Sequence, residues 1–401
     1  MSSLPIYMDH HATTPVDDRV LAAMIPHFHE RFGNAASSAH VYGKAARDAV
    51  EESRARVAAL LDCKLEELIF TSGATESDNL AIVGAARARE ARGNHIVTVR
   101  TEHKAVLDTC AALARQGWRV TFLEVDESGM VPVEAVASAI TKDTVLVSVM
   151  LANNEVGVLQ DIAAIGALAH EHDILFHCDA AQGLGYVPFS VRDLDVDLAS
   201  VSAHKMYGPK GVGALYVREV VQTRGIPAPQ ITGGGHERGF RSGTLNVPGI
   251  VGFGAAAQIM KEEGKTEARR IASLRDALRD RLLDELEEVR LNGAANRCHP
   301  GNLNLSFGYL DGARLLLELC EHVAVSSGAA CSSAESGPSY VLEAMGVPKE
   351  WAAASVRFGL GRSTTEEEIA TVGDVVIDTV HGLRERSPLW KRRSEGKPVD
   401  W

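Results

Sequence analysis

Two hydrophobic periods alternate along the middle of the chain. Ile96-Val97-Thr98-Val99 is a short β-branched run, and residues 105–115 repeat their apolar positions at helical spacing until Gly117 stops them. Residues 120–123 predict the next strand, Ser128-Gly129 a turn, residues 133–140 a helix and residues 145–150 a strand. A helix over 161–172, a buried strand over 174–178 and strands over 198–202 and 213–217 complete the series. Such alternation predicts an α/β fold whose largely parallel sheet is covered by helices on both faces. After Gly249-Ile250-Val251-Gly252, a charged helical stretch over 261–288 reads as a solvated helix leading into a second unit. The expected division is a large domain over 15–262 and a smaller α+β domain over 263–401 that also gathers residues 1–14.

Ligands of parallel sheets bind beyond the carboxyl ends of the strands, so the residues that follow each strand are the informative ones. Leu68-Ile69-Phe70 is followed by Thr71-Ser72-Gly73-Ala74-Thr75-Glu76, and Met150-Leu151 by Asn153-Asn154-Glu155. Cys178 precedes Asp179-Ala180-Ala181-Gln182, and Val201 precedes Ser202-Ala203-His204-Lys205. One polar strand end is commonly a helix cap; four converging on one rim predict a site. Lys205, held partly away from water, is a candidate Schiff-base amine. Asp179 ends an apolar strand, where a carboxylate is costly unless paired, and a protonated ring nitrogen would pair it. Gln182 stands near enough to reach a ring oxygen. Gly73-Ala74-Thr75, ahead of a helix expected near Glu76-Ser77, is a candidate phosphate cradle, with Ser202 and His204 as further donors. His103, after another strand, can stack on a ring or move protons.

Composition narrows the partners. With 41 basic and 53 acidic side chains the formal charge is −12, a surface that repels nucleic-acid phosphates. No apolar run is long enough to span a bilayer, and the first residues lack the charge and apolar pattern of a secretory signal, so a soluble, cytoplasmic protein is expected. The six cysteines contain no CxxC pair and should be free thiols in a reducing compartment. Cys331 differs from the others. It lies in Ser326-Ser327-Gly328-Ala329-Ala330-Cys331-Ser332-Ser333, a run of small residues without apolar period, and reads as an exposed loop thiol able to ionise. The polar tail from Ser387 carries Trp390 and Trp401 and reads as a frayed end or a partner-docking segment.

Taken together, these stretches resemble the cysteine desulfurases of iron–sulfur cluster assembly, the NifS/IscS-like group of fold-type I pyridoxal-phosphate enzymes. The likeness is carried by Asp9 with Ala12-Thr13-Thr14-Pro15, Thr71-Ser72-Gly73-Ala74-Thr75-Glu76-Ser77, Thr101-Glu102-His103-Lys104 and Asn153-Asn154-Glu155-Val156-Gly157. It continues through Asp179 to Gln182, Ser202 to Lys205, Gly233-Gly234-Gly235-His236-Glu237-Arg238, Arg241-Ser242-Gly243-Thr244, Ser326 to Cys331 and Ser387-Pro388-Leu389-Trp390. The resemblance implies a seven-stranded, mainly parallel sheet of the pyridoxal-phosphate transferase type. It implies that Lys205 carries the cofactor, that Asp179 holds the ring nitrogen, that Gln182 and Asn154 face the ring oxygen, and that His103 stacks on the ring. Ala74, Thr75, Ser202, Ala203 and His204 would surround the phosphate, and Thr244 would reach the phosphate of a neighbouring subunit in a homodimer. Arg357 with Asn34 would hold the carboxylate of L-cysteine. Cys331 would take the sulfur as a persulfide, pass it to a scaffold or other acceptor protein, and transiently ligate a [2Fe-2S] cluster shared with that partner. Two departures stand out: His10-His11, where relatives carry other residues, and Ala35, where a proline is common. Adjacent histidines on a strand would point apart, so no metal is expected there. A selenocysteine lyase, an aminotransferase or a non-catalytic sulfur-binding protein would use the same scaffold, although an aminotransferase needs no thiol at Cys331.

Overall fold

A computed structural model of the protein describes residues 4–327 and 339–397. Its central sheet has seven strands: β2 (Leu68–Thr71), β3 (His95–Val99), β4 (Arg119–Leu123), β5 (Thr144–Ser148), β6 (Leu175–Asp179), β7 (Leu198–Ser202) and β8 (Gly213–Val217). They are ordered β2-β8-β7-β6-β5-β3-β4, and only β8 runs against its neighbours. The period of two along each strand divides the apolar residues between the faces. Val97, Val147, Phe176, Cys178 and Ala199 join one cluster, while Ile96, Leu146, Leu175 and Leu198 join another on the opposite side.

A third cluster surrounds a four-stranded antiparallel sheet of β9 (Val289–Leu291), β10 (Asn302–Phe307), β12 (Ser326–Ser327) and β13 (Ser355–Gly359). The first residues of the chain run to this region. Here β1 (Ile6–Tyr7) pairs in parallel with β11 (Val323–Ala324), and Met8 is fully buried among the apolar residues of that cluster.

The helix expected to start at residue 261 begins at Val247 and runs unbroken for 39 residues to Glu285. Its early glycines look like breakers but serve close packing. A Cβ at Gly252 would meet Met24 Sδ at 2.5 Å, and one at Gly254 would meet Ser53 Cβ at 2.6 Å. Asn246 caps the first turn through Gly249 N–H, which offsets the poor helix propensity of glycine. The helix then passes from the first cluster, through Ile259 and Met260, to the third, through Ile271 and Leu274. Ser326-Ser327, expected in a loop, instead pair with Arg357 and Val356. The tail is helical over Pro388–Ser394, with Trp390 resting 4.2 Å from the Arg384 guanidinium, while Trp401 lies outside the described residues.

Candidate active site

The carboxyl ends of β2, β3, β5, β6 and β7 meet around a cavity of about 560 Å³. Because β8 is reversed, its amino end also reaches this rim, bringing Lys210 and Gly211 to the wall. Asp179 is the last residue of β6 and Ser202 the last of β7, and Lys205 closes the short 3-10 turn that follows. That turn is strapped by the first segment of the chain. Thr14 Oγ1 donates to the His204 carbonyl (2.9 Å) and accepts from Tyr207 N–H (2.8 Å), and the Lys205 ammonium donates to the carbonyls of His11 and of Ala12, the latter at 3.0 Å.

Gly73-Ala74-Thr75 joins a strand to a helix as the sequence suggests, with one shift: the helix begins at Ala74, not near Glu76-Ser77. Gly73 caps it at φ 149°, a conformation open to glycine, and Gly213 must also be small, since a Cβ there would fall 2.7 Å from Gly73 Cα. The first turn of this helix lines the cavity, and a helix start favours an anion there. Glu76, whose charge would oppose an anion, is bound to Arg241 at 2.7 Å and accepts from Ser72 N–H.

Electrostatics beneath the cavity are uneven. Asp78 and Glu102 are fully buried, and burial, then the charge of Asp179, pushes both well above the usual carboxylate range. Burial also raises Asp179, but His103 and the Lys205 ammonium pull it back, as does the N–H of Ala181. Asp179 is therefore the carboxylate here best placed to meet a cation inside the cavity. His103 caps its helix by accepting Ala105 N–H on Nδ1 (3.1 Å), so the neutral ring carries its proton on Nε2; burial lowers its pKa. Burial and the charges of Lys205 and Lys210 bring His204 down to about 4, leaving it neutral, with Nδ1 bonded to Thr13 Oγ1.

Of the residues expected at the site, Ala74, Thr75, His103, Asn154, Asp179, Gln182, Ser202, His204 and Lys205 line the cavity. Ala203 is buried among apolar side chains and does not line it. Arg357 is 1% exposed and sits outside the wall, paired with Asp9 at 2.7 Å and donating to the Asn154 carbonyl at 2.8 Å. Asn34 and Thr244 are exposed and do not line the cavity; Asn34 caps its own turn through Ala36 N–H. Cys331 lies outside the described residues. The residues flanking its segment are placed: Ser327 ends β12 beside β13, and Ser339 donates to Glu155, whose pKa burial raises to about 7. Thr13, Met150 and Lys210 line the wall but had been given no role. Only Thr13 had a signal, as part of the Ala12-Thr13-Thr14-Pro15 stretch.

The comparisons with known proteins agree with this geometry. The model of the aminotransferase class-V family matches residues 6–372. The chain belongs to the aminotransferase class-V family. It is 54% identical over 401 residues to the cysteine desulfurase IscS of Anaeromyxobacter sp. (strain Fw109-5), covering 99% of this chain and 98% of that one. Among solved structures, a NifS-like protein superposes with a TM-score of 0.87 at 38% identity, covering 95% of this chain and all of the other. A structure of SspA in complex with cysteine superposes at 0.80 and 35% identity, covering 88% and 98%. This class-V aminotransferase family member carries a cavity that suits pyridoxal phosphate: an amine at Lys205, a carboxylate at Asp179 for a ring cation, and a helix start for a phosphate. Gln182 Oε1 is buried with no hydrogen-bond partner in the protein, an acceptor open to a hydroxyl or N–H donor of a bound group.

Proposed function

We propose that this chain is a pyridoxal-phosphate-dependent cysteine desulfurase, which removes sulfur from L-cysteine, leaves L-alanine and holds the sulfur as a persulfide on Cys331. The observation that carries the reading is the convergence of the Lys205 amine, the buried Asp179 and the Gly73–Thr75 helix start on one cavity. When bound, the cofactor supplies a protonated ring that stores the electron pair left at the substrate Cα. Lys205 anchors the cofactor and, once displaced by substrate, takes the Cα proton. Asp179 keeps the ring nitrogen charged, Gln182 and Asn154 hold the ring-oxygen side, and His103 lies against the ring. Ala74, Thr75, Ser202 and His204 hold the phosphate, with Ala203 shaping the turn behind them. Arg357 and Asn34 bind the substrate carboxylate, which at Arg357 means replacing or sharing the partner that Asp9 now provides. The Cys331 thiolate attacks the substrate sulfur, forming the S–S bond as the C–S bond breaks; the electron pair of the broken bond stays with Cβ, which takes up a proton as L-alanine forms. The persulfide then passes to a scaffold or other acceptor protein, with Cys331 as a transient [2Fe-2S] ligand.

The working unit is a homodimer in which Thr244 serves the phosphate of the other subunit. Exposed Ile25, Phe28, Phe32, Val41 and Tyr42 supply an apolar surface of the kind that association covers. Each subunit divides into a large domain, 15–262, and a small one, 263–401 with 1–14, a reading supported by the separate apolar clusters joined by the long helix. A cytoplasmic setting suits the five free cysteines among the described residues, none of which is in a disulfide. Among the described residues no helix is long and apolar enough to cross a membrane.

Mass spectrometry after addition of L-cysteine to the cofactor-loaded protein tests the reading. One added sulfur atom is expected on the peptide containing Cys331, absent in Lys205→Ala and, with sulfide release, in Cys331→Ser. Sulfide release that survives Cys331→Ser would reassign the acceptor.

A further inference from the structure

The structure gives His10 and His11 an environment the sequence did not suggest. They lie in a turn rather than a strand, and both are buried, at 6% and 2% exposure. Room for them comes from the end of β13. A Cβ at Gly359 would stand 3.1 Å from His11 Cδ2, and one at Gly361 only 2.2 Å from His10 Cδ2. His10 donates from Nδ1 to the Gly359 carbonyl at 2.9 Å and packs edge-on against Tyr7, a purely internal set of contacts. His11 instead touches the cavity machinery twice. Its carbonyl accepts the Lys205 ammonium, and its Nδ1 accepts the Gln182 side-chain amide N–H. The His299 ring meets it edge-on at 4.6 Å and fixes the plane of the imidazole.

We propose that His11 is a positioning residue of the cofactor cavity: its imidazole locks the orientation of the Gln182 amide and so sets which polar atom that side chain offers to the ring-oxygen side of the cofactor. The proposal rests on the functional reading above for Gln182 and Lys205. An amide has two unlike ends, a donor and an acceptor, and nothing in its own shape chooses between them. The choice is made by the partner on the far side. Here Gln182 Nε2 is taken up by His11, and Oε1 is the end left buried without a partner. Burial drives the pKa of His11 well below the ordinary histidine value, with the charges of Arg357 and Lys205 acting in the same sense, so the ring stays neutral and keeps an acceptor nitrogen for the amide. A leucine in its place would remove that partner and let the amide turn.

The test uses the full chain loaded with pyridoxal phosphate and compares His11→Leu, His11→Asn and His11→Gln. Asparagine places a polar atom at the level of Nδ1, while glutamine places it about one bond farther out. The readouts are the dissociation constant for pyridoxal phosphate and the absorption band of the bound cofactor. His11→Leu is expected to weaken retention about tenfold, the scale of one lost buried hydrogen bond, and to move the band. His11→Asn should return both to within about twofold of the parent, and His11→Gln should not. Equal behaviour of His11→Leu and the parent, or equal rescue by both amides, overturns the proposal. If His11→Leu does not fold, the asparagine and glutamine variants decide it alone. In a Gln182→Leu background His11→Leu should add nothing, and an additive loss also overturns it. A parent protein that binds no pyridoxal phosphate, or a band that persists in Lys205→Ala, would instead sink the functional reading and this proposal with it.

Discussion

The two ends of the central sheet treat their carboxylates in opposite ways. At the amino end of β7, Asp195 and Asp197 are matched. His170 bonds to both, at 2.5 and 2.9 Å, Arg218 reaches them at 2.7 and 3.2 Å, and Asp197 also accepts Phe176 N–H. At the carboxyl end, Asp78, Glu102 and Asp179 are all buried; the charge of Asp179 raises the other two, and the Lys205 ammonium and the His103 ring draw only Asp179 back. The same strands therefore carry a compensated end that stabilises the fold and an uncompensated end that holds unfavourable charge for a ligand to relieve. Groups selected for chemistry are commonly suboptimal for stability, and here the division follows strand direction.

Substitutions at the two ends should separate these roles. Asp179→Asn removes the partner for a ring cation, and we expect cysteine-dependent sulfide release to fall by at least about 10²-fold, the scale of a lost charge-stabilising group. Its melting temperature, read by circular dichroism, should stay equal or rise, because a costly buried charge is gone. A large melting loss would show that this end is structural after all. Asp197→Ala should do the reverse, costing about 2 kcal/mol in denaturant unfolding by leaving Phe176 N–H without its acceptor and removing one of the two aspartates that hold His170 and Arg218, while activity per folded molecule changes less than about twofold. The smallest effect belongs to His170. The two aspartates raise its pKa above the ordinary 6.5. Its contribution is thus fully present below pH 6.5 and is lost as pH rises through the raised folded value. Solvent screening limits it to roughly 0.5–1 kcal/mol. The stability gap between the parent and His170→Gln should close with rising pH, and a gap that widens would reverse the assignment.

Much of this was legible in the sequence, for identifiable reasons. The strands are short, and all but the edge strand β4 are buried along their whole length, so β7 and β8 fall where the pattern put them and β3 to β6 differ only at their ends. The polar groups that follow them converge because parallel strands share one direction. What escaped detection depends on distant parts of the chain. Gly252 and Gly254 read as breakers until the helix they pack against is known. Nor did any local pattern indicate that Arg357 would be held by Asp9, or that Gln182 would lean on His11, since each pair is separated by well over a hundred residues. Trp390 likewise looked free in a polar tail, yet it packs on Arg384 and Tyr309 of its own chain.

The strap formed by residues 6–14 has a consequence for biogenesis. Met8 bonds to the Ala324 carbonyl, His10 to that of Gly359, and Asp9 to Arg357, so this segment is fastened by one that lies far along the chain from it. Contacts of such separation are slow to form and come late in folding. During translation the carbonyls that tether Lys205 have no fixed place until the segment around Gly359 has been made, so competence for cofactor should come late in folding.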